Sequence, residues 1–85
     1  MVYHKRIIIR VLESYLGVKL SPENVELHKM DERFNATVKL EDDIKYITYY
    51  TMIDLLQIPL NSKITFFYDK PWWNFKKKIE GFTIN

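Results

Sequence analysis

The sequence predicts an α+β fold, in which about four strands form a mainly antiparallel sheet with two or three helices packed on it. Three observations support this class. Apolar and polar side chains alternate strictly over residues 34–40, as in a half-buried strand. Apolar side chains recur at helical spacing over residues 8–15. The 85 residues are 47% hydrophobic, so residues 1–85 are expected to form a single small domain with the element order α-β-β-β-α-β-α.

The first helix is predicted over residues 3–16. Gly17 follows it at the position of a left-handed C-terminal cap. A strand is the competing interpretation, because the run Ile7, Ile8, Ile9 is β-branched. We favour the helix because four apolar side chains share one stripe, namely Ile8, Val11, Leu12 and Tyr15.

A three-stranded meander with one apolar and one polar face is predicted next. One helical turn over residues 21–24 precedes it, because Ser21 is a favoured cap and Pro22 suits the first helical position. Alternation of apolar and polar residues then predicts strands. The strands cover residues 25–28, 34–40 and 44–48, and the turns cover residues 31–33 and 41–43.

A short second helix is predicted over residues 51–57. Thr51 and Asp54 have the spacing of a capping box, with aspartate in place of the preferred glutamate. Pro59 is expected to end this helix, because the residue before a proline is pushed towards extended geometry.

The C-terminal third is predicted to hold the central strand of the sheet, over residues 63–68. Both faces of this run are largely apolar, and Phe66 is expected in the core. A last helix is predicted over residues 71–80, with Gly81 as its stop. Phe82 and Ile84 would then form a tail that covers the core or adds an edge strand. The apolar face of this helix is expected to contain Trp72, Phe75 and Ile79.

Composition excludes several classes of protein. Without cysteine, a disulfide framework, an iron–sulfur cluster and a thiolate zinc site are ruled out. No apolar run has the length of a signal peptide or a membrane span, so we expect a cytoplasmic protein with no membrane partner. The net charge of +2 is too small to indicate nucleic-acid binding by itself. Scarce glutamine and absent cysteine favour a thermophilic source, although a low-GC genome gives the same bias.

No catalytic residue, metal site or cofactor is predicted. His28, Asp31 and Glu32 form the one cluster that resembles a metal or acid–base site, but their spacing fits no metal motif and a solvated turn explains them better. The serines lack a glycine-flanked elbow, and the two glycines cannot form a phosphate-binding loop. We therefore expect a protein that is not an enzyme and has no small-molecule substrate.

The run from Trp72 to Lys78 suggests binding to DNA or RNA. Aromatic rings can stack on bases while lysines neutralise phosphates. Two adjacent tryptophans cannot both point inward from a helix, so we expect Trp72 in the core and leave both a buried and an exposed position open for Trp73. An exposed Trp73 would be a stacking platform or an interface anchor. The leading hypothesis is a small nucleic-acid-associated or regulatory module. Its predicted contact residues are Lys63, Lys70, Trp73, Lys76, Lys77 and Lys78.

The alternative is a protein-interaction module or a homodimer, such as a small adaptor or inhibitor of viral or mobile-element origin. On a strand, Tyr46 and Tyr50 would share a face and Tyr49 would point the opposite way, so one of these sets is expected to be exposed. Tyrosine suits interfaces, although a buried ring with a solvated hydroxyl is an equally good interpretation. The predicted interface residues are Trp73, Tyr46, Tyr49 and Tyr50.

Overall fold

The computed structural model describes residues 1–69 and 78–85. Within these residues the chain has two helices and six strands, which confirms the α+β class. The predicted element order was wrong at both ends, because it lacked a first strand and ended on a helix. The elements in chain order are β1 (Val2–His4), α1 (Lys5–Leu16), β2 (Val25–Met30), β3 (Arg33–Lys39), β4 (Ile44–Ile47), α2 (Tyr49–Leu56), β5 (Ile64–Asp69) and β6 (Lys78–Ile84), with one 3-10 turn (Pro22–Asn24) before β2.

The described strands form two antiparallel three-stranded sheets, not the one sheet of about four strands that the sequence predicted. One sheet has the order β2-β3-β4 and is the predicted meander. The other has the order β1-β6-β5 and joins the two ends of the chain, with Val2 opposite Thr83. This second sheet was missed because β1 and β6 pair residues that lie about eighty positions apart in the sequence. Patterns among neighbouring residues do not indicate such a pairing.

Helix α1 begins at Lys5, two residues later than predicted, because Tyr3 and His4 pair with β6. Its end matches the prediction. Gly17 has φ 70°, and its N–H donates to the Glu13 carbonyl oxygen over 2.8 Å. The residues that α1 buries are Ile8, Ile9 and Leu12, whereas Tyr15 is exposed.

Helix α2 begins at Tyr49, two residues earlier than predicted. The cause is Thr48, whose hydroxyl oxygen accepts a hydrogen bond from the Thr51 N–H over 3.3 Å and so caps the helix. Gln57, with φ 58°, ends it two residues before Pro59. Neither helix in the described residues is long and apolar enough to cross a membrane.

Strand β5 lies at the edge of its sheet, and β6 occupies the central position that was predicted for β5. The predicted helix over residues 71–80 is wrong where it can be compared, since β6 begins at Lys78 and Gly81 lies inside the strand. Residues 70–77 lie outside the described part. A β-bulge in β6, opposite Phe67 and Tyr68, explains part of the error, because it turns both Ile79 and Phe82 towards the core. Their spacing of three residues imitates a helical period.

The core lies between the two sheets and the two helices, with Phe34 and Phe82 at its centre. Both side chains are fully buried, and their ring centroids are 4.8 Å apart. Phe66 packs against this pair from edge strand β5 and is only half-buried, with centroid distances of 6.1 Å to Phe34 and 6.2 Å to Phe82. The predicted core position of Phe66 therefore holds for its contacts but not for full burial.

Candidate functional site

The structure separates two of the lysines that were predicted to bind nucleic acid. Lys63 precedes Ile64, which pairs with Ile84 at one end of the β5–β6 ladder, whereas Lys78 pairs with Asp69 at the other end. Five strand steps separate these ends by roughly 17 Å. The other four predicted residues lie outside the described residues, and they are Lys70, Trp73, Lys76 and Lys77.

Lys78 instead shares a cleft with two lysines that are remote in sequence. The cleft has a volume of about 320 Å³ and lies between β2 and the β5–β6 ladder. Lys5 is the first residue of α1, Lys29 lies near the end of β2, and Lys78 is the first residue of β6. We call this site the lysine cleft. The other polar and aromatic residues that line it are His28, Tyr68, Glu23 and Glu26.

Lys5 is placed in the lysine cleft by the junction between β1 and α1. The strand ends at His4, and the chain turns directly into the helix, so Lys5 is held half-buried in its first turn. The first turn contains no acidic residue, and His4 makes no side-chain capping bond. The positive end of the helix dipole therefore adds to the lysine charge.

Lys29 lies at the rim of the core. It is opposite Phe34 in the β2–β3 register, on the side of the sheet that faces the core. Its ammonium nitrogen lies 5.7 Å from the Phe66 ring centroid, within the range of a cation–π interaction. This contact restrains the side chain at the cleft without neutralising its charge.

His28 and Tyr68 are also among the residues that line the cleft. His28 alternates with Lys29 along β2, so its imidazole lies on the opposite face of the meander. The His28 Nε2 atom lies 3.0 Å from the Thr37 hydroxyl oxygen, and this hydrogen bond fixes the ring on the meander. Tyr68 is half-buried and pairs with Ile79 across the β5–β6 ladder. The cleft therefore offers cations and an aromatic ring within one concave surface.

Two carboxylates reduce the positive charge of the lysine cleft. Glu23 and Glu26 both line it and are exposed. The three lysines and two glutamates together leave an excess of one positive charge. Among the side chains that the structure describes, no cleft lysine lies within 4 Å of a carboxylate; the ion pair found there joins Lys45 and Asp43.

The three tyrosines of the predicted interface are divided between two elements. Tyr46 lies on β4 and is 75% exposed, and Tyr50 lies on α2 and is 54% exposed. Tyr49 is only 5% exposed, and its ring packs edge-on against Phe34 at 5.9 Å. It contributes to the core, so the alternation expected for a strand does not apply to Tyr49 and Tyr50. Trp73, the fourth predicted interface residue, is outside the described residues.

His28, Asp31 and Glu32 do not gather into a site. His28 contacts Thr37, while Asp31, with φ 55°, and Glu32 form the exposed β2–β3 turn. Within residues 1–69 and 78–85, no three His, Cys, Asp or Glu side chains are placed to hold a metal ion together.

Sequence reasoning missed Lys5, Lys29 and Tyr68 as site residues. They come from three segments of the chain, and the pairings that bring them together span the whole sequence. The run from Trp72 to Lys78 is visible in the sequence as neighbouring residues. The grouping of Lys5, Lys29 and Tyr68 is not, because it arises only when the chain folds. No protein-family model, curated protein or solved structure gives a significant match to the chain.

Proposed function

We propose that this protein is a small nucleic-acid-binding module and that the lysine cleft holds part of the phosphate backbone. One observation carries the proposal: Lys5, Lys29 and Lys78, from three different elements, line one concave surface. Neutralisation of phosphates by lysine is the main source of affinity for nucleic acid. We assign the module a binding role and no catalytic one.

The dimensions of the lysine cleft favour a single strand over a duplex. A cleft of about 320 Å³ has room for a phosphate and a base but not for a length of double helix. Tyr68 provides a ring beside the lysines, and bases stack on aromatic side chains in single-strand binders. We therefore expect single-stranded oligonucleotides to bind more tightly than duplexes of the same length.

The segment over residues 70–77 extends this hypothesis from the sequence alone. It follows Asp69, the residue after Tyr68, and precedes Lys78, and both Tyr68 and Lys78 line the lysine cleft. Its lysines and Trp73 thus remain predicted contacts, with the chemistry that phosphates and bases require. Lys63 is left out of the proposed contacts because it lies at the far end of the ladder.

Replacement of Lys5, Lys29 and Lys78 by glutamine tests the proposal. The triple variant removes three charges from the cleft and should bind a single-stranded oligonucleotide more weakly. The slope of log K against log salt should shrink by up to about 2 units, because each lost contact with a single strand removes about 0.7. Fluorescence anisotropy at about 50 and 200 mM salt measures both quantities.

The matched control removes three positive charges outside the cleft. Arg10, Lys19 and Lys39 are exposed and do not line it. Their triple glutamine variant should keep most of the affinity and of the salt slope. If both triple variants lose affinity equally, binding depends on net charge and the lysine cleft is not the site. If the parent binds neither DNA nor RNA at low salt, the function itself is refuted.

The alternative function, a protein-interaction module, is favoured by the exposure of Tyr46 and Tyr50. Large exposed aromatics can anchor an interface. In the homodimer form of this alternative, Tyr46→Ser or Tyr50→Ser should shift the parent from dimer to monomer in sedimentation velocity. If only one of the two variants becomes monomeric, the substituted tyrosine lies in the dimer interface. A parent that is monomeric at every concentration would exclude the homodimer.

A further inference from the structure

We propose that two copies of this chain associate through β4, as antiparallel neighbours with Ile44 of one copy opposite Ile44 of the other. The two meanders would then meet edge to edge over residues 43–45 of each copy, because residues 41 and 42 belong to the turn between β3 and β4. This inference goes beyond nucleic-acid binding and does not depend on it, because β4 and the lysine cleft share no residue.

Strand β4 is an edge strand of the described structure. Within residues 1–69 and 78–85, the sheet order β2-β3-β4 leaves one side of β4 without a neighbouring strand. The Leu40 N–H donates to the Asp43 carbonyl oxygen over 2.7 Å, so residues 40 and 43 form a hydrogen-bonded pair. Since such pairs alternate along an antiparallel ladder, the backbone groups of Ile44 and Tyr46 point away from β3. These groups can pair with another strand, although the Ile44 N–H must first give up the hydrogen bond that it donates to Asp43 Oδ1.

Apolar side chains flank this open edge. Ile44 is 47% exposed and Tyr46 is 75% exposed, and both lie on the face of the meander that points away from the core. With Ile44 opposite its own copy, Tyr46 of each chain lies diagonal to Ile44 of the other. Diagonal neighbours are within reach of an aromatic ring. The register therefore gathers two isoleucines and two tyrosines into one patch.

The charges of the strand are self-complementary in the same register, which is why a second copy is the expected partner. Asp43 and Lys45 lie two residues apart, on one face, and form an exposed ion pair of 3.4 Å within the chain. When Ile44 faces Ile44, Asp43 of each copy faces Lys45 of the other. A twofold axis thus produces two opposite-charge contacts from one pair of residues.

Two other arrangements make different predictions. A shift that places Ile44 opposite Tyr46 would bring Lys45 against Lys45, and Asp43 would then face no charge. A short edge strand that carries a lysine is also a common way to keep a protein monomeric. In that case Ile44 keeps its present hydrogen bond, in which its N–H donates to Asp43 Oδ1 over 2.8 Å.

The test uses two variants with opposite charge. Asp43→Lys leaves two lysines on the strand, and Lys45→Asp leaves two aspartates. Each variant should dimerise roughly tenfold or more weakly than the parent, because like charges would face each other at two positions. An equimolar mixture of the two should form a heterodimer, which native mass spectrometry resolves by mass. A contact within one chain cannot produce this result.

Three outcomes would overturn the proposal. They are a parent that stays monomeric up to about 1 mM, variants that dimerise as well as the parent, and a mixture that forms no heterodimer. Melting curves of both variants serve as the folding control, and both side chains are more than half exposed. Oligonucleotide binding per chain should be unchanged in both, so a failed dimer would leave the nucleic-acid proposal standing.

Discussion

Gly81 lies in the middle of β6, between His4 on β1 and Phe67 on β5. The rings of His4 and Phe67 meet edge-on across it, with centroids 5.4 Å apart. A Cβ atom at this position would lie 2.5 Å from the Phe67 ring and would also meet the Tyr3 backbone carbonyl oxygen. The two neighbouring strands can therefore approach β6 only because residue 81 has no side chain.

Gly81→Ala should lower the free energy of unfolding by about 1–3 kcal/mol or more, because the backbone of Tyr3 cannot move away without loss of the β1–β6 pairing. Gly17→Ala is the matched control. A Cβ atom at Gly17 would meet no other atom, so the cost of its replacement comes from the positive φ alone. The free energy of unfolding should fall by about 1 kcal/mol. Denaturant unfolding of both variants makes the comparison, and an equal or smaller loss at Gly81 would contradict the close approach.

Phe34 and Phe66 differ in burial, and their truncation should differ in the same direction. Phe34 is fully buried and its ring contacts those of Tyr49, Phe66 and Phe82. Phe34→Ala should cost about 3–5 kcal/mol, and Phe66→Ala should cost less because its site is half open to solvent. A larger loss for Phe66 in chemical denaturation would mean that β5 is more deeply buried than described.

At the scale of elements, the start of α2 depends on Thr48. Thr48→Ala removes the acceptor for the Thr51 N–H and should destabilise the protein by about 1 kcal/mol. Asp54→Ala is the control, because Asp54 would matter at this terminus only if Thr51 and Asp54 formed a capping box. Thermal melts followed by circular dichroism distinguish the two variants. A larger effect at Asp54 would mean that the helix begins at residue 51, as the sequence predicted.

The elements that the sequence predicted correctly are those with local signals. Strict alternation identified β3, and the apolar stripe with Gly17 identified α1 and its end. The sequence offered an edge strand at Phe82 and Ile84 as one of two options, but it missed the start of β6 and its central position. The bulge breaks the alternation, and Gly81 resembles a helix stop. Strand β1 has only three residues, and it forms because β6 is available as a partner from the opposite end of the chain.

At the scale of the whole molecule, the candidate site follows from the long-range pairing. Lys78 was identified from its neighbours in sequence, but Lys5 and Lys29 join it only after β6 is placed between β1 and β5. Lys63, equally close to aromatics in sequence, is carried to the opposite end of the same ladder. The local run of lysines and aromatics suggested the chemistry that we propose for the site, and the topology places Lys78 in the cleft and Lys63 outside it.

The most direct test of the lysine cleft is an NMR titration of the ¹⁵N-labelled protein with a single-stranded oligonucleotide of about ten nucleotides. At low salt, the largest amide shift changes should occur at Lys5, Lys29, Tyr68 and Lys78, and they should diminish as salt is raised. Changes confined to β4 or α2, or no changes at low salt, would contradict the proposal that this cleft binds nucleic acid.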